Sequence, residues 1–116
     1  MRALVLLAAV LTSCAPTTFR AFCDEDAAAR CTKAFQCDRE AAEASWRTVQ
    51  GCVDDLANAG DCRNAGTKAC YLEQALTQRC LDDLEALSCE QRNTRPPSCA
   101  EVQCVDPREV RCEAAD

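Results

Sequence analysis

Twelve cysteines and no histidine in 116 residues limit what this chain can fold into. A cysteine content above about 8–10% in a short exported chain is typical of a disulfide scaffold, in which cross-links supplement a small hydrophobic core. Cytosolic thiols are kept reduced, so this cysteine usage indicates an oxidising compartment. The length allows one domain.

The spacing of the cysteines does not fit metal or redox chemistry. Structural zinc sites use closely spaced ligand pairs, and the nearest pair here, Cys99-x4-Cys104, has no matching second pair. The absence of a C-x-x-C motif also argues against a thioredoxin-like site. We therefore expect structural disulfides, with no metal and no cofactor.

The N-terminus predicts export. Met1-Arg2 is a short positively charged segment, and the apolar run that follows, Ala3 to Leu11, suits a signal peptide. The run is too short for a membrane span, which needs about 20 residues. We expect a signal peptide over 1–13.

The residues after the apolar run, Leu11-Thr12-Ser13-Cys14, resemble the bacterial lipobox, in which the cysteine is lipidated and becomes the mature N-terminus. This resemblance implies lipidation of Cys14 and a tether over 14–22. Ala15, by resemblance to Gram-negative lipoproteins, implies sorting to the outer membrane. The alternative is an ordinary secretory signal, with Cys14 as a half-cystine.

The apolar spacing predicts helices and no strand. The expected fold is all-α, a small disulfide-stapled helical bundle of three main helices plus a short C-terminal helix. The domain spans 23–104 and precedes a charged tail over 105–116. The helices are expected at about 24–36, 39–58, 67–87 and 98–104.

Several residues suit the ends of these helices. Asp38 and Thr67 are candidate N-caps, and Ser98-Cys99-Ala100-Glu101 fits a capping box. Gly60 suits the end of the second helix. Trp46, the only tryptophan, lies on the apolar stripe of that helix, so we expect it to anchor the core.

A repeated motif occurs in the middle of the chain. Gln50-Gly51-Cys52-Val53-Asp54-Asp55-Leu56 is echoed by Gln78-Arg79-Cys80-Leu81-Asp82-Asp83-Leu84. The two motif cysteines and the two cysteines between them are symmetric about Gly66. An antiparallel helical hairpin that turns near Gly66 would bring each symmetric pair to one level. This arrangement predicts two nested disulfides, Cys52–Cys80 and Cys62–Cys70.

The other cysteines are assigned from the same bundle. Cys37 and Cys89 lie at its opposite end and are expected to pair, and two further pairs could follow, Cys31–Cys99 and Cys23–Cys104. Lipidation of Cys14 leaves eleven cysteines, an odd number. Cys112 is therefore the candidate free thiol.

Two resemblances follow from the cysteine pattern. Cys52-x9-Cys62 and Cys70-x9-Cys80 resemble the twin C-x9-C helical hairpins of the mitochondrial intermembrane space, which use nested pairing. Over nearly the whole chain, the lipobox and the remaining pattern resemble small cysteine-rich lipoproteins common in myxobacteria. That pattern comprises Cys31, Cys37, Cys52, Cys62, Cys80, Cys89 and Cys99, and the resemblance implies location and a helical fold but no activity.

The composition narrows the functional classes. A net charge of −6 argues against nucleic acid as a partner, since no basic field displaces phosphate counterions. The absence of histidine leaves mainly carboxylates for acid–base catalysis, so we expect no enzyme. In the predicted hairpin, the paired aspartates lie at one level and are candidate ligands for a divalent cation. These paired aspartates are Asp54, Asp55, Asp82 and Asp83. The alternative is that they form only a solvated helix face.

The expected function is that of an exported, lipid-anchored envelope protein acting as a structural or binding module. Its expected partners are the membrane, through the lipid, and a further envelope protein. The alternatives are a weak cation binder and a carrier of a small apolar ligand. The carrier would need an interior cavity on the order of several hundred Å³.

Overall fold

The computed structural model describes residues 17–67 and 70–105. These residues are mostly helical, as the sequence predicts. Single 3₁₀ turns occur at Gly60–Cys62, Ala65–Thr67 and Cys89–Gln91. The helices and strands, in chain order, are β1 Thr17–Thr18, α1 Phe19–Cys37, α2 Arg39–Trp46, α3 Val49–Leu56, β2 Tyr71–Leu72, α4 Gln74–Ala86 and α5 Pro97–Ala100.

Helix α1 begins earlier than the predicted residue 24. The Thr18 hydroxyl accepts a hydrogen bond from the Ala21 amide at 3.1 Å and so caps the helix at Phe19. The segment 17–22 therefore belongs to the folded part, which corrects the predicted tether over 14–22.

Two faces of α1 each pack against a different part of the chain. One face contacts α2 and α3, and the other contacts α4. The first face forms a cluster of Cys31, Phe35, Ala42 and Cys52, with Trp46, Val53 and Leu56 packed against it. The second face contributes to a cluster of Phe22, Cys70, Leu72, Cys80, Leu81, Leu84 and Cys99. Helix α1 is thus the central element of the core.

The predicted second helix over 39–58 is two helices with a sharp turn between them. Asp38 caps α2, as expected, by accepting a hydrogen bond from the Ala41 amide at 3.1 Å. Arg47 then adopts a positive φ of 64°, and the Thr48 amide donates to the Trp46 carbonyl at 2.7 Å, which forms a γ-turn. The Thr48 hydroxyl starts α3 by capping it.

The third predicted helix is shorter than the sequence indicates. It begins at Gln74, so Thr67 does not cap it, and Thr67 lies in a 3₁₀ turn instead. The chain between α3 and α4 bends at Gly60 and Asn64, whose φ angles are 56° and 64°. These two bends interrupt the helical hairpin that the sequence predicts.

A short antiparallel pair of strands corrects the expectation that the chain has none. Thr17–Thr18 pairs with Tyr71–Leu72, and Val105 forms a bridge to Tyr71. The extended backbone before α4 carries Leu72 into the core, where the residue is 1% exposed. Its own backbone groups pair with β1, which satisfies their hydrogen bonds. The folded part therefore reaches at least Val105.

Candidate functional site

All ten cysteines expected to form disulfides do so within the part of the chain that the structure describes. The bond between Cys37 and Cys89 is the one that the sequence placed at the end of the bundle. The five disulfides indicate an oxidising, exported environment. They are Cys23–Cys62, Cys31–Cys52, Cys37–Cys89, Cys70–Cys104 and Cys80–Cys99.

The predicted nested pairs, Cys52–Cys80 and Cys62–Cys70, are wrong. Helices α3 and α4 each pack on α1 and make few contacts with each other, so the two motif cysteines have different partners. Cys52 bonds Cys31 of α1, and Cys80 bonds Cys99 of α5.

The other two predicted pairs are also wrong, for the same reason. With Cys31 and Cys99 bonded to the motif cysteines, the expected Cys31–Cys99 bond does not form. Cys23 bonds Cys62 because the turn after α3 returns to the first part of α1. Cys104 bonds Cys70 in place of the expected Cys23, since both flank the short strands. The proposed lipidation site Cys14 and the candidate free thiol Cys112 lie outside the described residues.

The aspartates of the repeated motif do not form a common cation site. They lie on two helices that face α1 rather than each other, and all four are exposed. Among residues 17–67 and 70–105, no three Asp, Glu or Cys side chains are grouped so that they could hold a metal ion. This finding corrects the cation-site hypothesis for Asp54, Asp55, Asp82 and Asp83.

Each motif aspartate instead accepts a hydrogen bond. The first aspartate of each pair accepts from the glutamine four residues earlier, with Gln50 Nε2 to Asp54 Oδ1 and Gln78 Nε2 to Asp82 Oδ1 both at 2.8 Å. The second aspartate of each pair contacts a neighbouring element.

Those contacts with neighbouring elements differ between the two copies. The Trp46 Nε1–H donates to Asp55 at 3.0 Å, and the Ser98 hydroxyl donates to Asp83 at 2.5 Å. Ser98 therefore ties α5 to α4 and does not cap α5, whose N-cap residue is Pro96. The second aspartate of each copy thus has a structural role, since it joins α3 to α2 in the first copy and α4 to α5 in the second.

Trp46 lies at the edge of the core. Its side chain packs against the cluster around Cys31 and Cys52, as the sequence predicts, but it is only partly buried. The exposed part of the ring contributes to a cleft.

Two surface depressions are large enough to consider as binding sites. The larger, of about 590 Å³, lies between α1 and α4. Its volume matches the expectation for a carrier, but its lining is mostly polar and includes Glu25, Gln78 and Glu85. Lys33 spans it by donating to the Glu85 carbonyl at 2.7 Å. These walls do not suit an apolar ligand.

The smaller depression, of about 240 Å³, combines charge with apolar walls. We call it the arginine cleft. Three arginines line it, two of them from the loop between Cys89–Gln91 and α5, together with apolar side chains from α1 to α4. The lining includes the arginines Arg30, Arg92 and Arg95 and the large apolar side chains of Trp46, Leu56 and Leu84.

A buried carboxylate holds the cleft together. Asp26 is 3% exposed, and its two oxygens each pair with an arginine at 3.0 Å: Arg30 from the same helix, and Arg95 from 69 residues further along the chain. Asp26 falls in the predicted helix over 24–36, and Arg95 falls between the predicted helices over 67–87 and 98–104. Only the helical spacing of Asp26 and Arg30 was available as a signal.

Among the described residues, none of the helices is both long enough and apolar enough to cross a bilayer. Comparison of the chain with protein-family models, with curated proteins and with solved structures gives no match.

Proposed function

We propose that this chain is an exported, lipid-anchored cysteine-rich envelope protein that acts as a structural or binding module. The observation that carries the proposal is the set of five disulfides in a domain of this size. Such a scaffold resists reduction and local unfolding outside the cytosol. The lipobox resemblance at Cys14 supports the anchor, and Ala15 supports the outer membrane as its location.

The fold fits this role as a bundle of three main helical segments, each of which we call an arm. We treat α2 and α3 as the two halves of one arm, with α1 and α4 as the other two and α5 as the short C-terminal helix. The resemblance to small myxobacterial lipoproteins supports the same reading. A non-enzymatic role fits a chain without histidine whose motif aspartates serve hydrogen bonds between elements. We propose no nucleic-acid partner, given the net charge of −6.

Carriage of a small apolar ligand has less support. The larger depression has the required volume of about 590 Å³, but charged and amide side chains line much of it. A pocket for an apolar molecule is lined predominantly by hydrophobic and aromatic groups. The structural or binding role therefore stays first.

Replacing the lipidated cysteine tests the anchor. We expect Cys14→Ser to move the chain from the membrane fraction to the soluble exported fraction, because no thioether can form and the two acyl chains of the diacylglyceryl group are lost. The measurement is fractionation of expressing cells followed by immunoblotting. Cys112→Ser is the matched control, since it also removes a cysteine outside the five disulfides, and it should stay with the membrane. Retention of the Cys14→Ser chain in membranes would rule out the anchor.

A further inference from the structure

We propose that the arginine cleft binds a small organic anion, a carboxylate or phosphate carried on one ring or a short branched chain. The inference names a ligand class for the binding module and rests on that part of the proposed function. It does not depend on the lipid anchor. The charge, the shape and the rigidity of the cleft support binding of such an anion.

The charge of the cleft is opposite to that of the whole chain. Among the residues that the structure describes, three arginines and no carboxylate line it. Asp26, buried beneath, offsets one of the positive charges by pairing with Arg30 and Arg95. A formal excess of two positive charges thus remains in a chain of net charge −6.

Arg92 supplies the least compensated of these charges. Its guanidinium donates to the Cys89 carbonyl at 2.7 Å, and it has no ion pair within the part of the chain that the structure describes. Like charges gathered in a cleft repel each other unless an anion balances them. A guanidinium has five N–H donors and suits carboxylate or phosphate oxygens.

Part of the cleft lining is apolar, and we call this part the apolar wall. Trp46 of α2, Leu56 of α3 and Leu84 of α4 lie on it. The acidic group that contacts this wall, Asp55, is bonded to the Trp46 Nε1–H and is not part of the lining. An aromatic ring or a short branched chain could pack on this wall while its anionic group meets the arginines.

The size of the cleft limits the ligand. A volume of about 240 Å³ lies below the range of about 300–1,000 Å³ that holds drug-sized molecules. One ring with one acidic group fits within this volume, whereas a nucleotide or a peptide of several residues would extend beyond it.

The walls of the cleft are held in place before any ligand arrives. Asp26 fixes Arg30 and Arg95 with one carboxylate oxygen each, and Cys52 in the lining is bonded to Cys31 of α1. A preformed site loses less conformational entropy on binding than a mobile one. Asp26 is therefore a positioning residue for the anion.

The fluorescence of Trp46 gives a direct test, because it is the only tryptophan in the chain. The full chain, with its disulfides formed, is titrated with phenylacetate and phenyl phosphate at low salt. We expect saturable changes in emission. The affinity should fall as the salt concentration rises, since salt screens the attraction between the anion and the arginines. Comparison of the two probes shows whether the site prefers a carboxylate or a phosphate.

Benzyl alcohol and inorganic phosphate separate the two parts of the proposal. We expect each to bind at least about tenfold more weakly than the matching organic anion, since each lacks either the charge or the ring. Equal binding of benzyl alcohol would overturn the role of the arginines. Equal binding of inorganic phosphate would overturn the role of the apolar wall.

Arg92→Gln is the decisive variant. We expect it to weaken binding of phenylacetate by about tenfold or more, while Arg39→Gln changes the affinity by less than about twofold. Arg39 lies outside the cleft and is 75% exposed, so its replacement removes the same charge elsewhere. Circular dichroism verifies that both variants are folded, and Arg92→Lys should retain part of the affinity.

An unchanged affinity in folded Arg92→Gln, or no response of wild-type Trp46 to any of the organic anions at millimolar concentration, would overturn the proposal. These outcomes are independent of the anchor. A chain that binds the anion but is not membrane-bound would refute only the anchor, and a membrane-bound chain that ignores all the probes would refute only the ligand class.

Discussion

Gly51 is the position at which the two copies of the repeated motif differ most, because the second copy has Arg79 there. A Cβ atom at Gly51 would lie 2.7 Å from the Trp46 carbonyl oxygen, a backbone atom that belongs to the γ-turn. Arg79 lies inside α4, where helical backbone and no such turn precedes it, so a long side chain fits there. The difference between the copies therefore reflects the break between α2 and α3.

Substitution of Gly51 tests this explanation. We expect Gly51→Ala to lower the free energy of unfolding by about 1–3 kcal/mol, the usual cost of forcing an extra methyl group against packed atoms, although alanine is the better helix former. Chemical denaturation followed by circular dichroism measures the change.

Gly66→Ala is the matched control for that experiment. The nearest atom to a Cβ at Gly66 is the Arg20 Cδ at 3.8 Å, an ordinary contact with a flexible side chain. We expect this variant to lie within about 0.5 kcal/mol of the wild type or to gain slightly from the reduced entropy of the unfolded chain. If Gly51→Ala has the wild-type free energy of unfolding, the γ-turn accommodates the methyl group without cost, and this explanation is wrong.

At the scale of elements, α1 organises the molecule and the repeat marks the helices that dock on it. Each copy of the motif presents its cysteine inward, with Cys52 and Cys80 both 0% exposed, and its aspartates outward. The cysteines bond to different partners because α3 lies against one face of α1 and α4 against another. Similar sequences here indicate similar environments, not contact with each other.

Peptide mapping without reduction tests the placement of these helices. Trypsin alone leaves three pairs of cysteines on single peptides, so a second cleavage at aspartates and glutamates is needed: Cys52 with Cys62, Cys80 with Cys89, and Cys99 with Cys104. We expect linked peptides that join Cys31 to Cys52 and Cys80 to Cys99. Mapping of the reduced and alkylated chain controls for complete digestion. A linked peptide that joins Cys52 to Cys80 would restore the hairpin and contradict this fold.

The sequence predicted local structure better than the arrangement of elements. The N-cap at Asp38 was predicted correctly, because a capping side chain followed by a helical pattern is a local signal that involves only neighbouring residues. The break at Arg47 could not be read, since arginine rarely takes a positive φ. The symmetry of the four central cysteines about Gly66 was mistaken for contact, because spacing along a chain carries no information about a third helix that intervenes.

The candidate site was even less accessible to sequence reasoning. Asp26 and Arg95 are 69 residues apart, and their pairing depends on the fold of both α1 and the loop before α5. Trp46 was correctly placed on the core stripe, but its second role on the wall of a cleft depends on the turn that ends α2. Export and the disulfide scaffold, by contrast, follow from composition and from the N-terminal residues.

At the scale of the whole molecule, disulfides replace much of the core. Among the described residues, the largest fully buried side chains are Leu72 and four half-cystines, Cys23, Cys31, Cys52 and Cys80. The loss of one native disulfide from a small exported domain costs about 2–5 kcal/mol, which is comparable to the total stability of such a domain. The folded chain therefore requires an oxidising compartment, and the proposed anchor requires in addition that Cys14 carry a lipid.

Cysteine arithmetic makes the assignment of Cys14 testable in one measurement. Twelve cysteines less the ten in the five disulfides leave Cys14 and Cys112. If Cys14 carries a thioether, Cys112 has no partner within the chain. If Cys14 is instead an ordinary half-cystine, these two are the pair that remains.

The measurement is the intact mass of the mature protein purified from membranes without reduction, before and after treatment with an alkylating agent. The account predicts a chain that begins at Cys14, carries a diacylglyceryl group, retains five disulfides and gains one alkyl group at Cys112. A chain without lipid that gains no alkyl group would contradict it.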